Sequence, residues 1–407
     1  MVDIKKNGAR LVKGTSLGKD AWRRLRRNRR AMAALCALVA IGALAFLTPL
    51  LPLQPPDRDL TRNQFEPPQY GSFFESSFDL DWDAIQGTPE LLRQTRQELN
   101  AADERYALAQ RESKESADEA AAEVQKTARE LDDIARRPYR DAGFPDIGPL
   151  GRWMVRLRYN LFGQRSIASI CGRDDLGRDL LSRVFWGARI SIMVGLVATC
   201  VSLLIGVTYG AVAGYVGGWV DEVMMRIVDV LYSVPFIFVV IFIISILSEP
   251  TLKLRLEEWG IGRITIFYVL VGAIYWLTMS RVVRGQVISL KNELFVESAR
   301  AIGASQTRII AGHILPNLLS IVIVYLTLTI PQVMLFEAFL SFLGLGVEPP
   351  DVSWGQLANK AIEVVTPIKV YWWLIVYPSA ALGVTLGALN FLGDGLRDAL
   401  DSKLASR

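Results

Sequence analysis

The sequence is poor in the side chains that carry catalysis, metal binding and disulfide bonding. Its 407 residues include three cysteines and one histidine, His313. Cys36 and Cys200 lie within apolar runs and only Cys171 lies in a polar segment, so no disulfide framework is expected. No histidine or cysteine pattern completes a metal site, and we expect no catalytic residue, no metal and no cofactor.

Charged side chains are also scarce. They make up 21% of the residues, against 51% for hydrophobic residues. Six apolar runs are long enough to cross about 30 Å of hydrocarbon, which takes roughly 20 residues. These runs are Ala31–Leu51, Ile190–Tyr215, Ile227–Leu247, Ile264–Met279 with its flanks, Leu318–Leu343 and Tyr371–Leu392. The sequence therefore predicts an all-α, polytopic membrane protein with six transmembrane helices.

A nucleotide-binding loop is missing as well. Residues Gly14–Asp20 look like one at first sight, but one residue too few separates the glycines, and Asp20 replaces the Ser or Thr that binds magnesium. No other segment offers such a loop. Any ATP that drives this protein must therefore be hydrolysed on another chain.

Basic residues indicate which ends of the spans face the cytoplasm. Arginines crowd the segment Arg23–Arg30 directly before the first span, and Arg281, Arg284 and Arg308 lie between the fourth and fifth spans. The positive-inside rule places both segments in the cytoplasm. Six crossings from a cytoplasmic N-terminus agree with this and place the C-terminus there too. The basic segment, which contains Trp22, is expected to lie on the anionic leaflet; nucleic-acid binding is disfavoured because the segment abuts a span.

Residues 54–165 form a polar insert between the first two spans, and span parity places it outside the cytoplasmic membrane. Its start is rich in proline and aromatic residues, which predicts irregular chain rather than a packed domain. From Thr88 and Pro89 to Pro138 the pattern becomes helical, with a cap at its start and a proline stop. Apolar residues then recur every seven positions in two runs, Leu92, Leu99, Tyr106 and Ala117, Val124, Leu131. Ser113–Ser116 interrupts the register, so we expect an antiparallel hairpin; a solvated spacer with no partner is the alternative.

The most specific pattern lies between the fourth and fifth predicted spans. Residues Asn292–Ala301 are predicted to form a short amphipathic helix. Its apolar side is formed by Leu294, Phe295, Ala299 and Ile302. Gly303 supplies the positive φ of a sharp turn, Ser305 can cap a second short helix, and Pro316 opens the next span. An ordinary polar loop between spans would not require this order.

This segment resembles the coupling loop of permease subunits in ATP-binding cassette importers. In that family the loop sits in a groove of the ATPase subunit. The resemblance is carried by Glu297, Ser298, Ala299, Gly303, Leu315 and Pro316, with Ser298 in place of the usual first alanine. It implies that these residues couple the chain to a cytosolic ATPase through the loop 292–316.

Further motifs resemble the second, or C-type, permease subunit of dipeptide, oligopeptide and nickel importers. They are Arg173–Asp179, Ala213–Tyr215, Gly217–Asp221, Arg226–Pro235, Ser341–Gly346, Pro349–Pro350 and Ser353–Gly355. The similarity covers about Arg173–Asp398 and the N-terminal anchor. The insert departs from the family pattern, and Cys171–Arg173 stands where Gly-Thr is usual. By composition alone the dense charges of Arg173–Asp179 fit a salt-bridged turn better than a metal site.

The resemblance implies a subunit that forms half of a peptide translocation pathway in the inner membrane of a bacterium. It is not itself an enzyme. The implied partners are a second homologous permease, two cytosolic ATP-binding cassette ATPases, an extracytoplasmic substrate-binding protein and membrane lipids. Two alternatives are an ion-coupled secondary transporter, which would need related halves or broken helices with ion ligands, and a membrane-anchored scaffold that works through its coiled-coil insert.

Polar and small residues within the spans suggest further roles. Small residues recur every four positions on one helix face and predict a close packing seam. They are Ser202, Gly206, Gly210 and Gly214. Asp229 is expected near a helix N-terminus, where the dipole favours it, and Glu337 is a candidate contact for the substrate path. His313 is predicted to be a structural interface residue rather than a pH switch.

The predicted organisation has five parts. A basic cytoplasmic N-terminus with an amphipathic helix precedes the first span, the extracytoplasmic insert follows, and the remaining spans form the permease core with its coupling loop. The boundaries are 1–30, 31–53, 54–165 with a hairpin near 88–137, 166–393 with the loop 285–317, and a cytoplasmic tail at 394–407.

Overall fold

Helices dominate the computed structural model, which describes residues 17–71, 73–76, 81–112, 114–247, 249, 252, 256, 263–347, 351–366 and 369–400. The helices are α1 Leu17–Arg27, α2 Arg29–Leu47, α3 Trp82–Glu112, α4 Lys114–Asp141, α5 Pro149–Phe162, α6 Leu180–Val216, α7 Gly218–Ser233, α8 Phe236–Leu247, α9 Arg263–Leu290, α10 Leu294–Ala301, α11 Gln306–Ile309, α12 Leu315–Phe342, α13 Trp354–Glu363 and α14 Trp372–Leu400. Parts of four sequence motifs lie outside the described residues: 14–16, Ser113, Pro349–Pro350 and 401–407.

Short elements connect the helices. The strands β1 Phe74–Ser76 and β2 Arg165–Ile167 pair antiparallel, with Glu75 opposite Ser166. Thr48–Leu50 and Thr61–Asn63 form 3₁₀ turns, and Ile310–Ile314 forms a π turn.

The described residues divide into two compact units. One unit takes its residues from 1–40, 193–336 and 383–407, and the other from 41–192 and 337–382. In the first, Leu25 of α1 packs with Ala31 and with Ala399 of α14, while Trp22 stays 52% exposed. The N-terminal amphipathic helix therefore uses part of its apolar side within the chain.

Four helical segments in the described part of the chain are long and apolar enough to cross a membrane. They are Arg29–Leu50, Leu180–Val216, Gln306–Phe342 and Trp372–Leu400. A fifth is counted if α7 and α8 are taken as one span. These two helices meet at an angle of 80°, at the break that contains Pro235. The predicted span Ile227–Leu247 is therefore bent at Pro235, because proline removes a backbone donor and clashes with the preceding turn.

The insert contains a long helical hairpin. Helices α3 and α4 pack against each other, and the Arg105 guanidinium lies 2.8 Å from the Glu123 carboxylate across the pair. Helix α3 buries residues seven apart, namely Thr88, Thr95 and Ala102. Helices α3 and α4 thus pack along a heptad-spaced seam.

The predicted ends of the hairpin are wrong. Helix α3 begins at Trp82, so Thr88 is not a cap and Pro89 lies inside the helix. Pro138 also lies inside α4, and Tyr139 beyond it is 2% exposed. Burial of the terminal residues outweighs the local signals: they pack in a cluster of Ile85, Tyr139, Phe144, Ile147, Val155 and Trp186.

The proline-rich start of the insert is irregular in backbone, as predicted, but it is packed rather than loose. Leu53 and Gln54 are each 4% exposed, and Phe65 stacks on Tyr371 with the ring centroids 4.1 Å apart. Its backbone groups also bond into the fold: the Phe65 amide donates to the carbonyl of Asp174.

Candidate functional site

The turn segment, residues 292–316, is built on a small apolar base. Val296 is fully buried and Ala299 is 8% exposed in helix α10. They pack in a cluster with Ala211, Tyr215, Met279, Val283, Val287, Ile309, Ile314, Leu318 and Val322. This base joins the segment to α6, α9 and α12, and the Arg300 guanidinium also lies over the Tyr215 ring of α6, 5.9 Å from its centroid, so the segment is held as one packed piece.

The predicted apolar face of α10 is wrong. Leu294 and Ile302 are 79% and 86% exposed, and Phe295 is 37% exposed. On a helix with about 100° per residue, Val296 and Ala299 share one side, whereas Leu294 and Ile302 fall on another. Among the described residues, the first side packs in the apolar cluster and the second side does not. The segment therefore presents apolar side chains outward, next to the exposed Glu297.

The turn after α10 has the predicted geometry. Gly303 has φ of +88°, and its amide donates to the carbonyl of Arg300 at 3.0 Å. The amide of Ala304 donates to the carbonyl of Ala299 at 3.1 Å. Such bonds close a helix whose next residue is in the left-handed region, which glycine adopts without steric penalty. Ser305 then accepts from the Arg308 amide and caps α11.

The second short helix does not stand alone. Helix α11 continues through the π turn Ile310–Ile314 into α12, and Gln306–Phe342 forms a single 37-residue candidate span. Leu315 and Pro316 lie in the first turn of α12, so the proline marks no break. In the π turn, the carbonyl of the half-buried His313 accepts from the Asn317 side chain at 2.7 Å. A π turn holds one more residue than an α-helical turn, so it changes the direction of the turn segment relative to α12.

Ion pairs link α7 to α9 beside the segment. Arg284 Nη2 donates to Asp221 at 2.6 Å, and Arg281 Nη2 donates to Asp229 at 2.8 Å. Asp229 lies in the last two turns of α7, so its expected place at a helix N-terminus is wrong. Arg281 and Arg284, two of the basic residues that indicated a cytoplasmic loop, therefore have acidic partners on α7.

The small-residue seam on α6 is confirmed. A Cβ added to Gly206 would lie 2.6 Å from the Met279 side chain, and one added to Gly210 would lie 2.3 Å from the carbonyl oxygen of Ser280. For Gly214 the nearest atom is the Arg284 carbonyl oxygen, at 2.8 Å. Helices α6 and α9 thus approach each other backbone to backbone, which only glycine permits.

Glu337 is enclosed within the chain. Its side chain is fully buried, and its carboxylate accepts from Ser341 at 2.8 Å and Ser353 at 2.7 Å. Ser353 also caps α13, and the Trp354 amide donates to Ser191. These contacts hold α12, α13 and the start of α6 together. The role of Glu337 in the substrate path stays a prediction.

The charged turn, residues 173–179, is a salt-bridged turn, as predicted, but it is largely buried rather than on the surface. Asp174 accepts from the amides of Leu176 and Arg178 and pairs with the guanidinium groups of Arg178 and Arg183. Arg183 is 1% exposed. Burial raises the pKa of the Asp174 carboxyl, but the two arginines and the amide bonds outweigh it, so the pKa lies below its ordinary value.

Removing the Asp174 carboxylate is expected to destabilise the fold strongly. Asp174→Ala leaves Arg183 buried without its partner, which costs about 3–5 kcal/mol of unfolding free energy. Asp59→Ala is the matched control, because the Asp59 side chain is 57% exposed and lies 3.9 Å from Arg178; its effect should stay within about 0.5 kcal/mol. Thermal unfolding in detergent measures both. Equal melting temperatures for the two variants would contradict this account.

Asp179 makes the stability of the folded chain depend on pH. Burial raises the pKa of the Asp179 carboxyl to about 7. The hydrogen bond from the Ser182 amide and the charge of Arg173 lower this pKa, but burial outweighs both. The unfolded value is about 3.9. Because the folded pKa is the higher one, the stabilising contribution is fully present below about pH 4 and is lost as the pH rises through about 7.

We therefore expect the melting temperature of the parent chain to fall between pH 5 and pH 8 more steeply than that of Asp179→Asn. Asparagine retains an oxygen for the Ser182 amide but does not titrate. Asp174 contributes in the opposite sense, with stability lost below about pH 4, outside this window. Parallel curves for parent and variant would show that Asp179 does not titrate in the folded chain.

Sequence reasoning missed three features of these sites. Val296 carries the packing of α10, but a valine beside larger apolar residues gives no signal of its own. The π turn has no sequence signature. The serines around Glu337 come from three separate segments, so their convergence follows only from the tertiary fold.

Two family models match the chain. One is described as a binding-protein-dependent transport system inner membrane component and matches residues 206–406, which contain the turn segment. The other is the N-terminal transmembrane domain of oligopeptide transport permease C and matches residues 16–68. Residues 69–205, which contain the hairpin and α5, lie outside both.

Curated bacterial proteins show the same relationship. The dipeptide transport system permease protein DppC of Bacillus subtilis is 42% identical over 233 residues, which are 57% of this chain and 68% of the relative. The oligopeptide transport system permease protein OppC of Haemophilus influenzae is 44% identical over 232 residues, 57% of this chain and 70% of the relative. The glutathione transport system permease protein GsiD of Pectobacterium atrosepticum is 39% identical over 244 residues, which are 59% of this chain and 75% of the relative.

Proposed function

Since the chain belongs to the family of inner-membrane components of binding-protein-dependent transport systems, we propose that it forms half of the translocation pathway of an ATP-driven peptide importer. It is a multi-pass inner-membrane protein. Peptides are the proposed cargo because the named relatives transport dipeptides, oligopeptides and glutathione, itself a small peptide. The other half of the pathway would come from a second, homologous permease.

The proposed topology has six spans. The four long apolar helices supply the first, second, fifth and sixth spans. The bent pair α7 and α8 supplies the third span, and α9 supplies the fourth. This places the turn segment in the cytoplasm, on the side of Arg281 and Arg284. The insert then lies outside, where a substrate-binding protein would deliver cargo.

The turn segment is proposed to couple the chain to one of two cytosolic ATPase subunits. The supporting observation is the exposure of Leu294 and Ile302 on a segment whose opposite side is fixed by Val296 and Ala299. Solvent-exposed apolar side chains beside a carboxylate, Glu297, suit a groove on another protein. ATP hydrolysis takes place on the partners, and the chain itself is not an enzyme.

Cross-linking tests this proposal. The chain, with its three cysteines replaced and Ile302→Cys introduced, is expressed together with cassette ATPases from its own genome and purified through its own tag. We expect an ATPase to co-purify and to cross-link at position 302. Trp22→Cys is the matched control, since Trp22 is also exposed and lies on the same predicted side. Absence of an ATPase, or equal cross-linking at both positions, would reject the coupling role.

The hairpin of α3 and α4 is proposed to touch the binding protein weakly. At about 1.5 Å per residue, the 31 residues of α3 extend about 46 Å, far enough to meet a docked partner. Its surface is mostly polar and charged, which suits a transient contact rather than a permanent one. A helical spacer with no partner is the competing explanation.

Shortening the hairpin separates these explanations. Residues 100–127 are replaced by a short Gly-Ser turn, which joins Leu99 to Ala128 and keeps the packed base. We expect basal ATPase activity to be unchanged, while half-maximal stimulation by loaded binding protein needs about tenfold more of it, equivalent to ~1.4 kcal/mol. Arg105→Ala, which removes only a surface ion pair, is the control. An unchanged concentration dependence would mean that the hairpin is a spacer.

A further inference from the structure

Helix α5 carries an apolar stripe that the described part of the chain leaves largely exposed. The stripe comprises Leu150, Trp153, Leu157 and Leu161, which fall within about 80° of arc on the helix. Leu150, Trp153 and Leu161 are 53%, 57% and 62% exposed. A helix that only packed on its own protein would keep such residues on its buried face.

The opposite side of α5 holds the base of the hairpin. Val155 is fully buried in the cluster that includes Tyr139 of α4, and Tyr159 stacks on Trp82 of α3 with the ring centroids 4.6 Å apart. Arg156 donates to the Tyr139 hydroxyl at 2.6 Å. The stripe and the hairpin therefore lie on opposite sides of one helix.

The fold fixes α5 at the end of the first span. Helix α5 packs on the 3₁₀ turn Thr48–Leu50, which directly follows α2. Helix α2 has 19 residues, about 28 Å at 1.5 Å per residue, which is close to the thickness of the hydrocarbon core. The buried Arg158 side chain donates to the carbonyls of Leu53 and Arg165, which locks α5 to the chain just beyond that turn.

We propose that α5 lies flat on the extracytoplasmic surface of the membrane, with its apolar stripe in the lipid. The stripe lies at the level where α2 leaves the membrane. The last turn of α2 there also exposes apolar side chains, since Phe46 is 57% exposed. Lipid is therefore already the neighbour of this level of the protein, and tryptophan is enriched at such interfaces.

Binding of the stripe to lipid directs the hairpin. Because the hairpin base is on the other side of α5, the hairpin stands away from the bilayer. Helix α5 then anchors the base of the hairpin to the membrane surface, and the stripe fixes the angle between the hairpin and the bilayer. This inference rests on the proposed topology for the side of the membrane, but it is independent of the cargo and of ATP coupling.

Spin-label accessibility in nanodiscs tests the proposal on the full chain. In a background without Cys36, Cys171 and Cys200, nitroxide labels are placed at Leu161→Cys, and at Leu150→Cys as a second stripe position. Leu108→Cys is the matched control, since Leu108 is an apolar residue on α3 that is 59% exposed and lies away from the stripe. Collision with oxygen, which enters lipid, is compared with collision with a water-soluble nickel chelate.

We expect the ratio of oxygen to nickel collisions to be severalfold higher at positions 150 and 161 than at position 108. A ratio at the stripe equal to that at Leu108 would overturn the proposal by showing that the stripe faces water. Low collision with both reagents would also overturn it, since a protein partner would then cover the stripe. Gel filtration before reconstitution selects folded material, and either stripe position alone decides the result.

Discussion

Gly303→Pro is expected to abolish transport while the chain still inserts and assembles. Gly303 has φ of +88°, whereas proline fixes φ near −65° and removes the amide that bonds to the Arg300 carbonyl. The turn cannot then close, and α10 loses its direction relative to the π turn. Uptake should fall to background, because α10 would no longer present the outward-facing Leu294 and Ile302 in the direction that the turn fixes.

Alanine substitutions at two glycines separate the effect of backbone conformation from the effect of added side-chain volume. A Cβ at Gly303 or at Gly312 would meet nothing within 4 Å, so added volume is harmless at both. Gly303→Ala still carries a penalty of about 1–2 kcal/mol for left-handed backbone, and Gly312→Ala carries none. ATP-dependent uptake at equal expression should rank Gly312→Ala as normal, Gly303→Ala as reduced and Gly303→Pro as absent. Normal uptake by Gly303→Pro would remove the turn segment from the mechanism.

Gly210→Leu is expected to prevent the membrane helices from packing. Even the first carbon of the new side chain would lie 2.3 Å from the carbonyl oxygen of Ser280. A backbone oxygen cannot move aside without displacing α9, and overpacking of this kind costs about 1–3 kcal/mol or more. We expect most of the protein to be lost as aggregate or to melt at a much lower temperature.

Gly285→Leu on α9 is the matched control, since a Cβ added there meets no atom of the described residues within 4 Å. It adds the same apolar volume to a membrane helix but leaves the seam intact. Recovery after detergent solubilisation, followed by gel filtration and a melting curve, measures both variants. If Gly210→Leu were recovered as well as Gly285→Leu, the close approach of α6 and α9 would be refuted.

Local chemistry explains which parts of the fold were predictable. Gly303, Ser305 and the α6 glycines each serve a backbone requirement that few other residues satisfy, so their spacing alone indicated a turn, a cap and a seam. The charged turn at 173–179 was recognisable because its opposite charges lie within a few residues of one another. The heptads of the hairpin were visible because the seven-residue spacing of apolar side chains lies within one continuous segment.

The errors arose where tertiary burial overrides a local signal. Pro89 and Pro138 mark helix ends in isolation, yet α3 and α4 run past them because Trp82 and Tyr139 find apolar partners at the base. The face of α10 was misassigned because Leu294 and Ile302 are larger than Val296, and size suggested burial. The neighbours of α10 come from α6, α9 and α12, so its true face depends on contacts far away in sequence.

Peptide uptake by reconstituted vesicles tests the central claim most directly. The vesicles contain this chain, its partner permease and its ATPases; loaded binding protein is added, and ionophores collapse proton and sodium gradients. We expect radiolabelled peptide to accumulate only when ATP is supplied on the ATPase side, and not at all with Gly303→Pro. Uptake that follows an ion gradient without ATP, or ATP-driven uptake that Gly303→Pro leaves unchanged, would contradict the account.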